Sequence, residues 1–455
     1  MTQVVELPLW LFVLIMLFAA VTALSHFLLP SVRWFFRRRL EKAVTRLNTR
    51  LTRPIEPFKL ARRYDMIQRL IYDPEVTREI VNYAKANGVP ENVAFQKAKA
   101  YAREIVPSFS AFAYFSFGTR LARLLVNSVY TVRTGPDNDR ILAAIPKEAT
   151  VVFIMNHRSN MDYVLVTYLA ARASALSYAV GEWARVWPLS RLIRSMGAYF
   201  IRRKSRGALY RRVLARYVQM ATAGGVTQAI FPEGGLSLNG TLMPPKLGLL
   251  TYVIEGYDPE GRDVVFVPVA INYDRVLEDQ VLIAAEARGD RRFGARITVV
   301  VRFILRKLWQ FIRRRFTRFG TAAVVFGDPL SLREFGADRP VEQLGDDLMA
   351  RIKAAMPVLF VPLAARAFQQ ASGPLSDAQL STAVTALATQ AQGHALLPPE
   401  AYPAAAVEAR HRLSKRKIIT QVDGGWQLVP GQDKTVAFYA NSVAHFFEED
   451  AAAAE

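Results

Sequence analysis

The sequence predicts an α/β fold. We expect a mixed, mostly parallel sheet covered by helices, with an N-terminal membrane helix and helical N- and C-terminal regions. Three observations carry this expectation. From about Thr131 onward, short apolar runs alternate with stretches of helical period, the pattern of strands joined by covering helices. Residues 40–130 and the Ala-rich stretch after Pro340 lack such runs and read as helical. Residues 7–29 are almost continuously apolar, and at about 1.5 Å per residue they are long enough to cross a hydrocarbon core of ~30 Å.

The elements follow in order. The apolar stretch 7–29 has Glu6 before it and no basic leader. Its positive charges come afterwards, at Arg33, Arg37, Arg38, Arg39 and Lys42. That arrangement reads as an uncleaved anchor over 1–30 with the bulk of the protein cytoplasmic. A helical region over 31–130 follows. Within it, 76–86 and 91–105 carry helix-period apolar positions, separated by the break Asn87-Gly88-Val89-Pro90. Residues 105–130 are aromatic-rich and amphipathic, suited either to a membrane surface or to packing on the next domain. An α/β domain is expected over 131–335. Its strands are 151–155, 198–201, 228–231, 264–272, 297–301 and 322–326, and its helices 162–173, 209–223 and 305–319. The region 336–455 is helical with a small hairpin at 418–428, turning at Asp423-Gly424-Gly425.

Composition narrows the function. Half of the 455 residues are apolar, which excludes global disorder. There are no cysteines, so disulfides, thiolate metal sites and a cysteine nucleophile are absent. The net charge of +20 asks for an anionic partner. Arg residues are interleaved with Trp, Phe, Leu and Ile at 32–39 and 302–319, which suits a lipid headgroup layer better than a nucleic acid. No nucleic-acid-binding motif is visible, and no Gly-x-Ser-x-Gly elbow of a serine hydrolase.

The chemistry concentrates in four blocks. In Asn156-His157-Arg158-Ser159-Asn160-Met161-Asp162, a buried strand ends in a histidine and an aspartate follows on the first helical turn. The carboxylate of Asp162 then accepts from one ring nitrogen and leaves the other free to take a proton from a hydroxyl. Ser159 or Asn160 is placed to cap the helix. The second block, 197–204, is a strand ending in Arg202, Arg203 and Lys204, a cluster fit to bind phosphate. The third is Phe231-Pro232-Glu233-Gly234-Gly235-Leu236-Ser237. Consecutive glycines let a ligand approach the backbone N–H groups, and Glu233 either meets an acceptor hydroxyl or holds the loop. Lys246 is a further phosphate candidate. The fourth, Val267-Pro268-Val269-Ala270-Ile271, has a proline in a strand, which predicts a bulge or sheet edge in a structural role.

In this order and spacing, the four blocks resemble the membrane-bound glycerol-3-phosphate acyltransferase family, in the branch that includes dihydroxyacetone-phosphate acyltransferases. Likeness extends to Pro245-Lys246-Leu247-Gly248, to Asn272-Tyr273-Asp274-Arg275-Val276-Leu277-Glu278 and to Tyr439-Ala440-Asn441-Ser442-Val443-Ala444-His445, and covers roughly 100–450. The resemblance implies transfer of a fatty acyl group from acyl-CoA or acyl carrier protein to the sn-1 hydroxyl of glycerol 3-phosphate. His157 and Asp162 would be catalytic; Arg202, Arg203, Glu233, Gly234, Gly235, Ser237 and Lys246 would bind substrate. Neither a metal nor a cofactor is implied. Membrane lipids are expected partners and nucleic acid is not. The implied location is the cell inner membrane, with the catalytic domain on the cytoplasmic face. This chain departs from the family at one point: arginines usual after the glycines are here Leu236 and Leu238. An apolar wall there also suits lysophosphatidic acid as acceptor. Dihydroxyacetone phosphate is another alternative, and a non-enzymatic binder of anionic lipid or nucleic acid a remote one.

Overall fold

The computed structural model describes residues 8–49, 51–170, 174–181, 189–202, 207–289, 318–391 and 393–447. The chain divides into two units, Met1–Ile55 and Glu56–Glu455. In the first, one helix, Leu9–Asn48, runs through the expected anchor and past Pro30. Trp10, Phe12, Ile15, Leu17 and Phe18 on this helix are all exposed. Among the described residues no helix is long and apolar enough to cross a membrane.

The second unit is built on a sheet whose described strands are β1 (Thr131–Thr134), β2 (Thr150–Met155), β3 (Ser177–Val180), β4 (Tyr199–Phe200), β5 (Gln228–Ile230), β6 (Val264–Tyr273), β7 (Thr321–Phe326) and β8 (Leu330–Ser331). Their spatial order is β1-β7-β6-β2-β5-β3-β4, with β8 also on β6. β6, β2, β5, β3 and β4 run parallel, while β7 and β8 lie antiparallel to β6. The sheet is therefore mixed and mostly parallel, as expected. β2 and β6 are buried along their whole length, which is why they read as unbroken apolar runs rather than alternating ones. The strand period of two sorts their side chains into two cores. Val151, Phe153 and Met155 face one layer, and Val152 and Ile154 the other.

On the Val152 face lie helices Pro74–Asn87, Glu91–Ile105 and Ala208–Ala223. Asp73 caps the first by accepting from the N–H groups of Glu75 and Val76, Pro74 occupies its first turn, and Gly88 ends it at φ 61°. Ala94, Ala98 and Ala102 make a smooth stripe on the next helix that lets its neighbours approach closely. Asp73 also pairs with Arg216 at 2.8 Å, fastening the N-terminal helices to Ala208–Ala223. On the Val151 face lie Thr119–Val129, Met161–Ala170 and the C-terminal helices Phe360–Gln370, Asp377–Gln390, Tyr402–Lys415 and Asp433–Ala440. The hairpin forms as β9 (Ile419–Val422) against β10 (Gly425–Leu428).

Several expectations meet a different outcome. Pro268 is neither at a sheet edge nor in a bulge: β6 is an interior strand, and Pro268 is in register with Ile154 of β2. Its carbonyl accepts from Gly327 N–H on the side away from β2, so its missing N–H also faces that side. There β8 has ended and β7 begins only at Val269, so no ladder bond is lost. β1, β3 and β8 have no counterpart among the expected strands. β1 is a mostly exposed edge strand of sequence Thr-Val-Arg-Thr, and β8 has two residues, so neither writes an apolar run. The expected strand 297–301 and residues 305–317 of the expected helix 305–319 lie outside the described residues, as do 171–173 of the helix expected at 162–173.

The C-terminal region closes on the loop that follows β5. Gly240 in that loop has φ 89°, and a Cβ there would stand 1.9 Å from the carbonyl oxygen of Phe438 in helix Asp433–Ala440. Gly240→Ala is therefore expected to lower stability by about 2 kcal/mol or more, through both the left-handed backbone and the clash. Urea unfolding monitored by circular dichroism measures this, and a midpoint matching the parent would refute the packing described.

Candidate active site

The site is assembled where β2 ends. Asn156 extends the pairing of β2 with β6 by one residue through its side chain. Its Nδ2 donates to the Ile271 carbonyl at 2.9 Å, and its Oδ1 accepts from Ile271 N–H at 2.8 Å. The chain thus leaves the sheet at His157 in a set direction. Ser159 Oγ accepts from Met161 N–H at 3.1 Å and starts helix Met161–Ala170. Asp162, in the first turn, points back at the strand end. Its Oδ2 lies 2.9 Å from His157 Nδ1 and accepts from the N–H groups of Arg158 and Ser159 at 2.8 and 3.0 Å. Its Oδ1 accepts from the Tyr273 hydroxyl at 2.6 Å. An acceptor-only carboxylate at this distance puts the imidazole proton on Nδ1. Nε2 makes no hydrogen bond among the described residues, so its lone pair is available to a hydroxyl.

The imidazole is buried between aromatic rings. The Phe231 ring lies 4.3 Å away, centroid to centroid, and Tyr163 meets it edge-on at 5.2 Å. Helix Met161–Ala170 supplies Tyr163 and the end of β5 supplies Phe231, so both walls come from elements that pack beside β2. Such a slot holds the ring plane and keeps bulk water from it.

The glycine block lies against this strand end. Ser237 N–H donates to the His157 carbonyl at 3.0 Å. The Ser237 hydroxyl accepts from Gly240 N–H and donates to the Thr241 carbonyl, closing the loop on itself. Glu233 turns inward. Its two oxygens accept from His157 N–H at 2.9 Å and Met243 N–H at 3.3 Å, which is the loop-holding geometry of the two roles considered for it. Gly234 adopts φ 63°, and the Lys246 side chain crosses it so closely that a Cβ there would stand 2.7 Å from Lys246 Cδ. Lys246 N–H donates to the Pro232 carbonyl at 2.7 Å. Around Gly235 there is open space.

Of the basic block, β4 and Arg202 are not brought to the same place. β4 lies three strands from β2, about 14 Å across the sheet at the usual spacing. Arg202 just beyond β4 is engaged by the Glu104 carboxylate through Nε and Nη2, with its guanidinium over the rings of Tyr101 and Tyr210. Arg203 lies outside the described residues. Leu236 and Leu238 pack, partly buried, against the core cluster that contains Met155. Among the described residues no cluster of three or more His, Asp and Glu side chains could hold a metal ion.

Three participants have no signal in sequence spacing. Tyr273 reaches Asp162 from the end of β6, 111 residues away. Glu278 accepts from Ser159 Oγ at 2.8 Å and from Asn160 N–H and Nδ2 at 3.2 and 3.0 Å. Arg158 is buried over the Phe438 ring and donates to the Gly240 carbonyl at 2.7 Å. The string 272–278 draws notice only through its family likeness.

Two family models match the chain: an acyltransferase model over 138–272 and a model of the glycerol-3-phosphate acyltransferase C-terminal region over 305–454. Over these two stretches the chain is similar to the glycerol-3-phosphate acyltransferases. A glycerol-3-phosphate acyltransferase of Alteromonas mediterranea is 28% identical over 61% of this chain and 33% of its own length. One from Pseudoalteromonas translucida is 26% identical over 86% of this chain and 50% of its own. The chain thus spans about a third to a half of the length of the curated relatives it matches. A crystal structure of a 1-acyl-sn-glycerophosphate acyltransferase from Thermotoga maritima matches 61% of this chain and 95% of its own, at 19% identity and a TM-score of 0.30, too loose an overlay to weigh further.

Burial pushes the Glu233 carboxyl up from its ordinary 4.5 to about 8, against the lowering effect of the two N–H groups it accepts. Its folded value lies above its unfolded one. The stability it contributes is then fully present below pH 4.5 and lost as the pH rises through about 8. The melting temperature is expected to fall between about pH 5 and pH 8.5 more steeply in the parent than in Glu233→Gln. Parallel slopes in differential scanning fluorimetry would show that Glu233 does not titrate in this window.

Proposed function

We propose that this chain transfers a fatty acyl group from a thioester, acyl-CoA or acyl carrier protein, to the sn-1 hydroxyl of glycerol 3-phosphate, giving lysophosphatidic acid for phospholipid synthesis. The observation that carries the proposal is the buried His157 Nδ1–Asp162 Oδ2 hydrogen bond at 2.9 Å, with no hydrogen bond to Nε2 among the described residues. Nε2 takes the proton of the acceptor hydroxyl as its oxygen attacks the thioester carbonyl. A C–O bond forms, the carbonyl becomes a tetrahedral oxyanion, and donors at the open glycine turn stabilise it. Collapse breaks the C–S bond, and the imidazolium returns its proton to the departing thiolate. Neither a covalent acyl-enzyme nor a metal enters these steps.

The acceptor phosphate falls to Lys246 at the glycine turn and to Arg203. The engagement of Arg202 with Glu104 argues against a primary role for it. The second reading, acylation of lysophosphatidic acid, is favoured by Leu236 and Leu238, which replace cationic side chains with an apolar flank. For location, the exposed apolar side chains between Leu9 and Phe18, together with the net charge of +20, support residence at an anionic inner membrane with the catalytic unit on the cytoplasmic face.

His157→Ala is expected to lower turnover at least about 10³-fold in a chain that still melts cooperatively. Retained turnover by a well-folded variant would remove the base. Arg203→Ala is expected to raise the acceptor KM several-fold more than the thioester KM, and equal effects on the two would remove Arg203 from the phosphate site. Glycerol 3-phosphate, dihydroxyacetone phosphate and lysophosphatidic acid offered together with acyl-CoA, followed by identification of the lipid formed, separates the acceptors. Exclusive diacyl product would overturn the first reading in favour of the second.

A further inference from the structure

The two matched stretches, 138–272 and 305–454, leave out the segment in which Tyr273, Glu278 and Asp279 stand. Side chains of that segment make polar contacts to the His157 turn from both of its sides. Tyr273, fully buried at the end of β6, donates its hydroxyl to Asp162 Oδ1 at 2.6 Å. Asp162 Oδ2 is thereby left to His157 Nδ1 and to the two backbone N–H groups. Glu278 accepts from both side chains between Arg158 and Met161, so the turn that carries His157 to Asp162 is held from outside as well as by its own helix cap.

The segment is in turn fastened to the C-terminal region. The Tyr439 hydroxyl accepts from Val276 N–H at 3.2 Å and donates to the Asp279 carboxylate. Arg416 donates to both Tyr439 and Asp279. Tyr439, Asp279 and Arg416 are buried or nearly so, and a satisfied buried network of this kind gives a segment one geometry.

We propose that Tyr273 and Glu278 are positioning residues for the His157 base, and that the C-terminal region serves catalysis by holding the segment that carries them through Tyr439 and Arg416. This rests on His157 being the base. Tyr273 fixes which carboxylate oxygen meets the imidazole, and it satisfies charge on the other oxygen. Without its hydroxyl, the less satisfied Asp162 anion favours the protonated ring, so the base becomes available only at higher pH.

The test is steady-state kinetics of the full chain, with acyl-CoA and glycerol 3-phosphate varied, across pH. For Tyr273→Phe, kcat is expected to fall about tenfold with both KM values within about twofold. The acid limb of kcat/KM is expected to move up by about half a pH unit. A merely structural residue would lower the active fraction without moving that limb. Parental kcat and an unmoved limb in a variant with a parental melting curve overturn the proposal. If Tyr273→Phe does not melt cooperatively, Glu278→Gln carries the test, with the same fall in kcat at unchanged KM expected and parental kcat overturning it. The arms stay distinct from the base itself: an active His157→Ala sinks the base reading, whereas an inactive His157→Ala beside a parental Tyr273→Phe sinks only this one.

Discussion

The turn that carries the candidate base is built around one buried carboxylate. Asp162 is out of water, and an anion there is tolerated only when donors surround it. It meets four, each from a different group: the His157 ring, the N–H groups of Arg158 and Ser159, and the Tyr273 hydroxyl. Satisfying that charge forces the turn to curl around it, and the curl sets the imidazole tautomer. The same geometry that makes the carboxylate tolerable makes the histidine a base.

The sheet makes this curl possible. β2 and β6 are buried throughout and parallel, so their ends arrive side by side, and Asn156 adds a last pair of bonds before the chain departs. The loop after β5 meets the same end, and Glu233 and Ser237 pin it to the His157 backbone from two directions. The glycines permit the close passage of Lys246 on one side and leave an open approach at Gly235 on the other. A structure-holding Glu233, its proton retained by burial, explains why an acidic residue sits at the turn without facing the acceptor.

Charge at the site is more sparing than the overall composition suggests. With Arg202 engaged by Glu104 and with leucines at 236 and 238, the faces of the His157 ring are flanked by Phe231 and Tyr163, and Lys246 lies at the glycine turn. Such surroundings favour a hydroxyl and a thioester over water, because the walls offer few hydrogen bonds to a water molecule in their place.

What was legible in the sequence is what local pattern encodes. β2, β5 and β6 announced themselves as apolar runs, the helix Pro74–Asn87 by its helix-period apolar positions and the break at Asn87-Gly88-Val89-Pro90, and the His157–Asp162 pair by a spacing of five residues across a strand–helix turn. β1 and β8 were not legible, because an exposed edge strand and a two-residue strand bury too little to leave a pattern. Pro268 was misread for a related reason: sequence alone does not tell which strand lies beside a residue or where that neighbour ends. Nor could it reveal Tyr273 and Glu278 on the His157 turn, the diversion of Arg202 to Glu104, or the inward turn of Glu233. Each of those depends on which strands and helices become neighbours, and that is decided when the whole chain packs, not by any run of adjacent residues.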